Sequence, residues 1–145
     1  MRLQKLLYIA CMLYAGEQRK RLIKEDFEAW RRGPVEPKLY RYCRGYGAGN
    51  IPDIFPMEFG NEPTDIEYQY LDNIVKATQG KVEGTEEVSL GELLNYTHWD
   101  KGAWKNVYDS ERNAWYLPSP IISFESIRKE YDDRYENKED NKKVA

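Results

Sequence analysis

The sequence predicts a mainly α fold: a compact single-domain helical bundle of about five to seven helices with a small extended or β element. Three observations predict it. Apolar residues recur at helical spacing in several separate stretches. Two of those stretches open on capping boxes, Thr64-x-x-Glu67 and Ser89-x-x-Glu92. A chain of 145 residues is one domain long, able to bury about 68–70% of its unfolded surface without staples.

The first helix follows from Leu3, Leu6, Leu7, Ala10, Leu13 and Tyr14, and it reads as amphipathic with Gly16 as its C-cap. A charged turn, Glu17–Lys20, comes next. In Asp26–Arg32 the residues alternate, with Phe27, Ala29 and Arg31 on one side and Glu28, Trp30 and Arg32 on the other. That stretch reads as a strand ending at Gly33-Pro34, which forces a turn before the second helix. Pro37 suits the first turn of that helix, which carries Leu39, Tyr40, Tyr42 and Cys43 and stops near Gly45. Gly45–Pro63 is a long irregular stretch. A third helix offers Ile66, Tyr70, Leu71, Ile74, Val75 and Ala77, and ends at Gly80 and Gly84. A fourth carries Leu90, Leu93, Leu94 and Tyr96 and ends at Thr97-His98-Trp99. Gly102–Tyr108 reads as a short helical turn, and Asn113–Ile122 as extended. Ser123 caps a last helix with Phe124, Ile127, Tyr131 and Tyr135 on one face. Residues 1–136 are expected to form the domain, and residues 137–145 a charged, disordered tail.

Charged residues make up 32% of the chain and hydrophobic ones 41%, as in soluble globular proteins. The net charge of −3 disfavours a broad nucleic-acid footprint. No apolar run reaches the roughly 20 residues of a membrane span, and Leu6–Tyr14 lacks a cleavage site and is followed by charges. A cytoplasmic location is therefore expected. Cys11 and Cys43 read as two buried thiols rather than a disulfide or a CxxC site.

The counts of 12 Tyr and 4 Trp against 1 His lean away from catalysis and towards binding. His98 with Asp100 admits a general-base reading, but no nucleophile or triad spacing accompanies it. A structural imidazole at a helix end, bonded to backbone carbonyls, is favoured. Gly45–Gly49 follows a helix rather than a strand, so it reads as a loop and not a phosphate cradle. One His and two distant Cys make no zinc site. The basic runs Arg19–Arg21 and Arg31-Arg32 lie among carboxylates and read as mixed-charge surface. No catalytic, cofactor-binding or metal-binding residue is assigned, and no cofactor is expected.

Several elements in order resemble one family. They are Leu3-Gln4-Lys5-Leu6-Leu7-Tyr8; Phe27-Glu28-Ala29-Trp30 with Gly33-Pro34-Val35 and Tyr40; Thr97-His98 followed by Trp104; and Ile122-Ser123 before Tyr131. Together they look like the Panacea domain, also called the GepA or SocA-like phage-associated domain, over about Arg2 to Tyr135. The resemblance implies an antitoxin of a bacterial or phage toxin–antitoxin pair that neutralises a cognate protein toxin by direct binding. In the SocA branch the protein is instead an adaptor that delivers its toxin to an AAA+ protease, which becomes a second expected partner. A small hydrolase-type enzyme centred on His98 is the third, least favoured reading. No nucleic acid or membrane partner is expected, and a homo-oligomer is compatible with the sequence. The sequence departs from the family at two points: members carry a further helix before the Leu3–Tyr8 element, and a proline where Ala103 stands.

The motif residues Leu3, Gln4, Lys5, Leu6, Tyr8, Trp30, Gly33, Pro34, Val35, Tyr40, Thr97, His98 and Trp104 are assigned to a shared structural platform. Tyr42, Tyr46, Tyr68, Trp99, Trp115 and Tyr116 are the candidate toxin contacts, because half-exposed aromatics make favoured protein anchors.

Overall fold

A helix at the centre of a bundle meets neighbours on every side, so its sequence must be tolerant of burial all round. That is the position of α1 (Arg2–Gln18) in the computed structural model, which describes residues 1–46, 63–80, 84, 86–111 and 119–136. Residues around the whole circumference of α1 are buried, Tyr8, Ala10, Met12 and Tyr14 almost completely. The expected amphipathic helix is thus corrected to a central one. It packs against α3 (Asp65–Thr78), α4 (Leu90–Thr97), α6 (Phe124–Tyr131) and strand β2 (Gly33–Val35). Gly16 is not its cap. The helix runs on to Gln18 and ends on Arg19, whose φ of 58° closes it in the left-handed conformation. Gly16 lies inside the helix because the Tyr131 ring of α6 occupies the space a side chain would need.

β1 (Phe27–Trp30) is the central strand of a three-stranded antiparallel sheet ordered β2-β1-β3, with β3 at Ile121–Ile122. Its alternation is as read: Phe27 and Ala29 are buried, Glu28 and Trp30 half-buried. The turn is placed differently from the expectation. It falls at Arg31-Arg32, and Gly33–Val35 is a second strand, with Trp30 opposite Gly33 and Glu28 opposite Val35. Pro34 is accommodated because β2 is an edge strand. Gly33 has φ 126°, which a residue with a side chain rarely adopts.

α2 (Pro37–Cys43) starts at the expected proline and is capped by Glu36, whose carboxylate accepts the Lys38 and Leu39 N–H groups. It buries none of its own residues. Cys43 is accordingly half-buried rather than buried, whereas Cys11 is buried and its thiol pKa is pushed up by that burial. Thr64 and Ser89 cap α3 and α4 as read, accepting from the Glu67 and Glu92 N–H groups. Ile66 differs from expectation: it stands exposed, while Tyr70, Leu71 and Ile74 pack on the core. α5 (Ala103–Glu111) is a helix of nine residues rather than a short turn. Ser123 caps α6, which continues into a π-helical turn, Asp132–Glu136. The irregular stretch after Tyr46, most of Asn113–Ile122 and the tail 137–145 lie outside the described residues.

Candidate functional site

Gln4, Lys5 and Tyr8 of α1 are buried, and each ties a different element to the central helix. Gln4 exchanges two hydrogen bonds with the backbone of Glu36: its Nε2 donates to the carbonyl and its Oε1 accepts from the N–H, both at 2.9 Å. That exchange positions the cap of α2. Lys5 Nζ donates to the Arg32 carbonyl at 2.9 Å and so holds the β1–β2 turn. Burial lowers the Lys5 pKa. Tyr8 donates its hydroxyl to Glu130 on α6 at 2.7 Å.

The second half of the junction comes from the α4–α5 corner. Trp104 Nε1 donates to the Trp30 carbonyl at 2.7 Å, which fastens α5 to the strand before the hairpin turn. His98 is the residue after α4, and its ring stacks on Trp104 with centroids 3.9 Å apart. Trp104 in turn stacks on Tyr108 at 4.9 Å. Thr97 is fully buried, and its hydroxyl donates back to Leu93 and Leu94 carbonyls. Gly33 closes the centre: a Cβ there would lie 3.1 Å from both His98 Nε2 and Lys5 Nζ.

The expected backbone bonding of His98 has a counterpart in the Arg32 backbone, which bears on the ring, but the structure gives no such bond to Nε2. That atom is buried and has no hydrogen-bond partner among the described residues. Burial lowers the His98 pKa, the Lys5 and Lys105 charges add to the lowering, and the Arg32 backbone opposes it. The imidazole is therefore held neutral near pH 7, and its folded pKa lies below the ordinary value of about 6.5. The consequence has a definite sign. The unfolded chain takes up this proton first as pH falls, so the stability His98 contributes is present above about pH 6.5 and is lost below it. Urea denaturation of wild type and His98→Gln from about pH 7 to about pH 5 should show the steeper decline in wild type.

Two motif residues stand outside the junction's interior. Leu3 is 38% exposed and Tyr40 41% exposed, although the Tyr40 ring meets Trp30 edge-to-face at 4.8 Å. Val35 is half-buried, and Leu6 and Pro34 are buried. The candidate contact residues are not gathered into one patch. Tyr68 is 59% exposed on α3, Tyr42 is half-buried on α2, and Trp99 lies between α4 and α5 with the Arg134 guanidinium 4.4 Å from its ring. Tyr46's side chain, Trp115 and Tyr116 lie outside the described residues.

Sequence reasoning missed Glu130 and Arg134. Glu130 Oε1 accepts from Tyr8 and from the Ala103 N–H at 2.9 Å, and Oε2 accepts from Arg134 Nε at 2.9 Å. Arg134 also donates to the Tyr96 carbonyl and lies 3.8 Å over the Tyr96 ring. The Ala103 N–H is a donor that a proline would lack, so alanine at this position has a physical reason in this chain. A Glu–Arg pair four residues apart looks like a solvated helix face, and no sequence signal separates it from one.

The geometry can hold and orient elements. Among the described residues no group of three or more His, Cys, Asp and Glu side chains is placed to hold a metal ion. No described helix is long and apolar enough to cross a membrane. The profile of the antitoxin SocA-like, Panacea domain family matches residues 3–105, so the class is an antitoxin-like domain. The match spans more than two-thirds of the chain, and the protein belongs to this family. Family membership supports an antitoxin role and a partner that is itself a protein. No curated protein matches the chain, and no solved structure matches it.

Proposed function

We propose that this protein is the antitoxin of a bacterial or phage toxin–antitoxin pair and neutralises one cognate protein toxin by direct binding, with no chemistry of its own. The observation that carries the reading is the family match over residues 3–105. The placement of the motif side chains agrees with it. Gln4, Lys5, Tyr8 and Trp104 each hydrogen-bond another element of the chain, which leaves specificity to exposed residues other than these four. The lone histidine is neutral, stacked on Trp104 and flanked by a lysine, and Asp100 beside it in sequence is exposed. Such an imidazole lacks the oriented carboxylate that a general base needs.

Co-expression with the product of the adjacent gene tests the proposal. The expected result is a toxic neighbour, rescue of growth by this protein, and a complex recovered by pull-down with the toxin level unchanged. A harmless neighbour that forms no complex would sink the reading. Rescue accompanied by protease-dependent loss of the toxin would replace blocking with delivery to a protease.

A further inference from the structure

The charge of this chain is unevenly placed. Between Phe27 and Tyr46 stand five cations, Arg31, Arg32, Lys38, Arg41 and Arg44, against two carboxylates, Glu28 and Glu36. The remainder carries 17 cations against 23 carboxylates. Both local carboxylates already have partners. Glu36 is buried and accepts the first N–H groups of α2, and Glu28 accepts the Trp30 indole N–H at 2.9 Å.

All five cations are exposed, and none lies within ion-pair distance of a carboxylate among the described residues. Elsewhere pairing is common, though not universal: Arg19 pairs with Asp132, Arg21 with Asp26, Lys76 with Asp72, Lys105 with Asp109 and Lys129 with Asp133, while Lys20, Lys24 and Lys101 stand exposed as scattered single cations without an ion pair among the described residues. The hairpin turn and α2 are brought together by the Trp30–Tyr40 ring contact, so their cations belong to one region of the surface. Lys38, Arg41 and Arg44 follow at three-residue spacing along α2 and the turn that continues it, which sets them on one stripe. Tyr40 stands exposed within that region.

We propose that this face, formed by the Arg31-Arg32 turn and the Lys38–Arg41–Arg44 stripe around Tyr40, docks an acidic segment of the partner protein. The proposal rests on the antitoxin reading and names the chemistry of the toxin surface it would engage. Charge complementarity is the first argument: unpaired cations repel one another, and a carboxylate-bearing partner relieves that repulsion and steers the encounter. Composition is the second. Arg with exposed Tyr is the mixture enriched at protein hot spots. A nucleic acid is the less favoured occupant, because the −3 chain around the face repels a phosphate backbone that extends beyond it.

The test uses the purified adjacent gene product as probe, with affinity and association rate measured at about 50 mM and about 300 mM salt. Lys38→Glu/Arg41→Glu is the test variant, since α2 buries none of its residues, and its fold is checked by circular dichroism and melting. Lys76→Glu/Lys129→Glu is the control on other faces. The expected result is at least about tenfold weaker binding in the test variant, mostly through slower association, with a flatter salt dependence. The control should stay within about threefold of wild type. Unchanged affinity in the test variant overturns the docking face and leaves the antitoxin reading standing. If the gene product does not bind wild type, the antitoxin reading fails, and a fluorescein-labelled Glu/Asp-rich peptide of about twelve residues carrying one Phe decides the face. Peptide binding lost in the test variant supports it, and no binding overturns it. An oligonucleotide that binds wild type more tightly than the peptide, or a wild-type dimer that the charge reversal splits, also overturns it.

Discussion

Replacing Glu130 with alanine is expected to lower the unfolding free energy by about 3–5 kcal/mol. The reason lies in what the carboxylate leaves behind. It is buried and accepts from three donors on three elements: Tyr8 of α1, the Ala103 N–H that opens α5, and Arg134 beyond α6. The alanine variant strands all three. Arg134 has a side chain only 10% exposed, so its charge loses its carboxylate while remaining largely out of water. Tyr8 is wholly buried, and among the described residues its hydroxyl has no other acceptor; burial first, and Glu130 second, hold its pKa well above the ordinary phenol range. Each orphaned neutral donor costs about 1–3 kcal/mol, although the three losses overlap and do not add in full. Small domains are stable by about 5–15 kcal/mol, so this single change removes a large part of the total. Urea denaturation at pH 7 reads the loss, and a drop under about 1 kcal/mol would contradict the buried network. Two companions sharpen the reading. Glu130→Gln keeps acceptors for Tyr8 and Ala103 and should cost less. Glu130→Leu combined with Arg134→Met removes both charges and should cost less than Glu130→Ala alone, because no buried ion is left unpaired.

The fold class was legible because its cues are local. Capping residues Thr64, Ser89 and Ser123 act within three residues of themselves, and the structure places all three at helix starts. The alternation of Phe27, Glu28, Ala29 and Trp30 likewise reports a strand with one covered face. The errors came where tertiary packing overrode local preference. Gly16 has the residue type of a helix end, yet α6 crosses so closely that only glycine fits mid-helix. Gly33-Pro34 has the residue types of a turn, yet Gly33 pairs opposite Trp30 in the sheet and the turn falls on two arginines. The family motif marked most of the α1–β1–α4–α5 junction. It did not mark Glu36, Glu130 or Arg134, because a charged residue reads as surface until a structure shows what lies across from it. The stripe on α2 was hidden for a related reason. Arg31-Arg32 looks balanced by neighbours in sequence such as Asp26 and Glu28, and only the structure shows that Asp26 pairs with Arg21 and that Glu28 accepts the Trp30 indole N–H.

Gly16→Ala is expected to destabilise the protein by about 3 kcal/mol, and the sign of that effect is its diagnostic feature. In a helix interior, alanine is worth about 1 kcal/mol more than glycine, so a substitution on a free helix face would stabilise. Here the new methyl would lie 1.9 Å from Tyr131 Cγ, and 2.0 and 2.5 Å from the two Cδ atoms. The clash involves the root of the ring rather than its tip, so no small rotation about the side chain relieves it. Either Tyr131 must leave its rotamer or α6 must draw back from α1. Drawing back also strains the Tyr8–Glu130 bond, which joins the same two helices. The steric cost thus outweighs the propensity gain. Thermal or urea denaturation gives the value, and stabilisation by about 1 kcal/mol would show that the ring has room to move. The double variant Gly16→Ala/Tyr131→Ala separates the clash from any other fault of alanine at this site. Once the ring is gone, the methyl should cost nothing, and the pair should be more stable than the sum of the single effects by at least about 2 kcal/mol. Additivity between the two would place the cost elsewhere in α1 and contradict the close crossing of the helices.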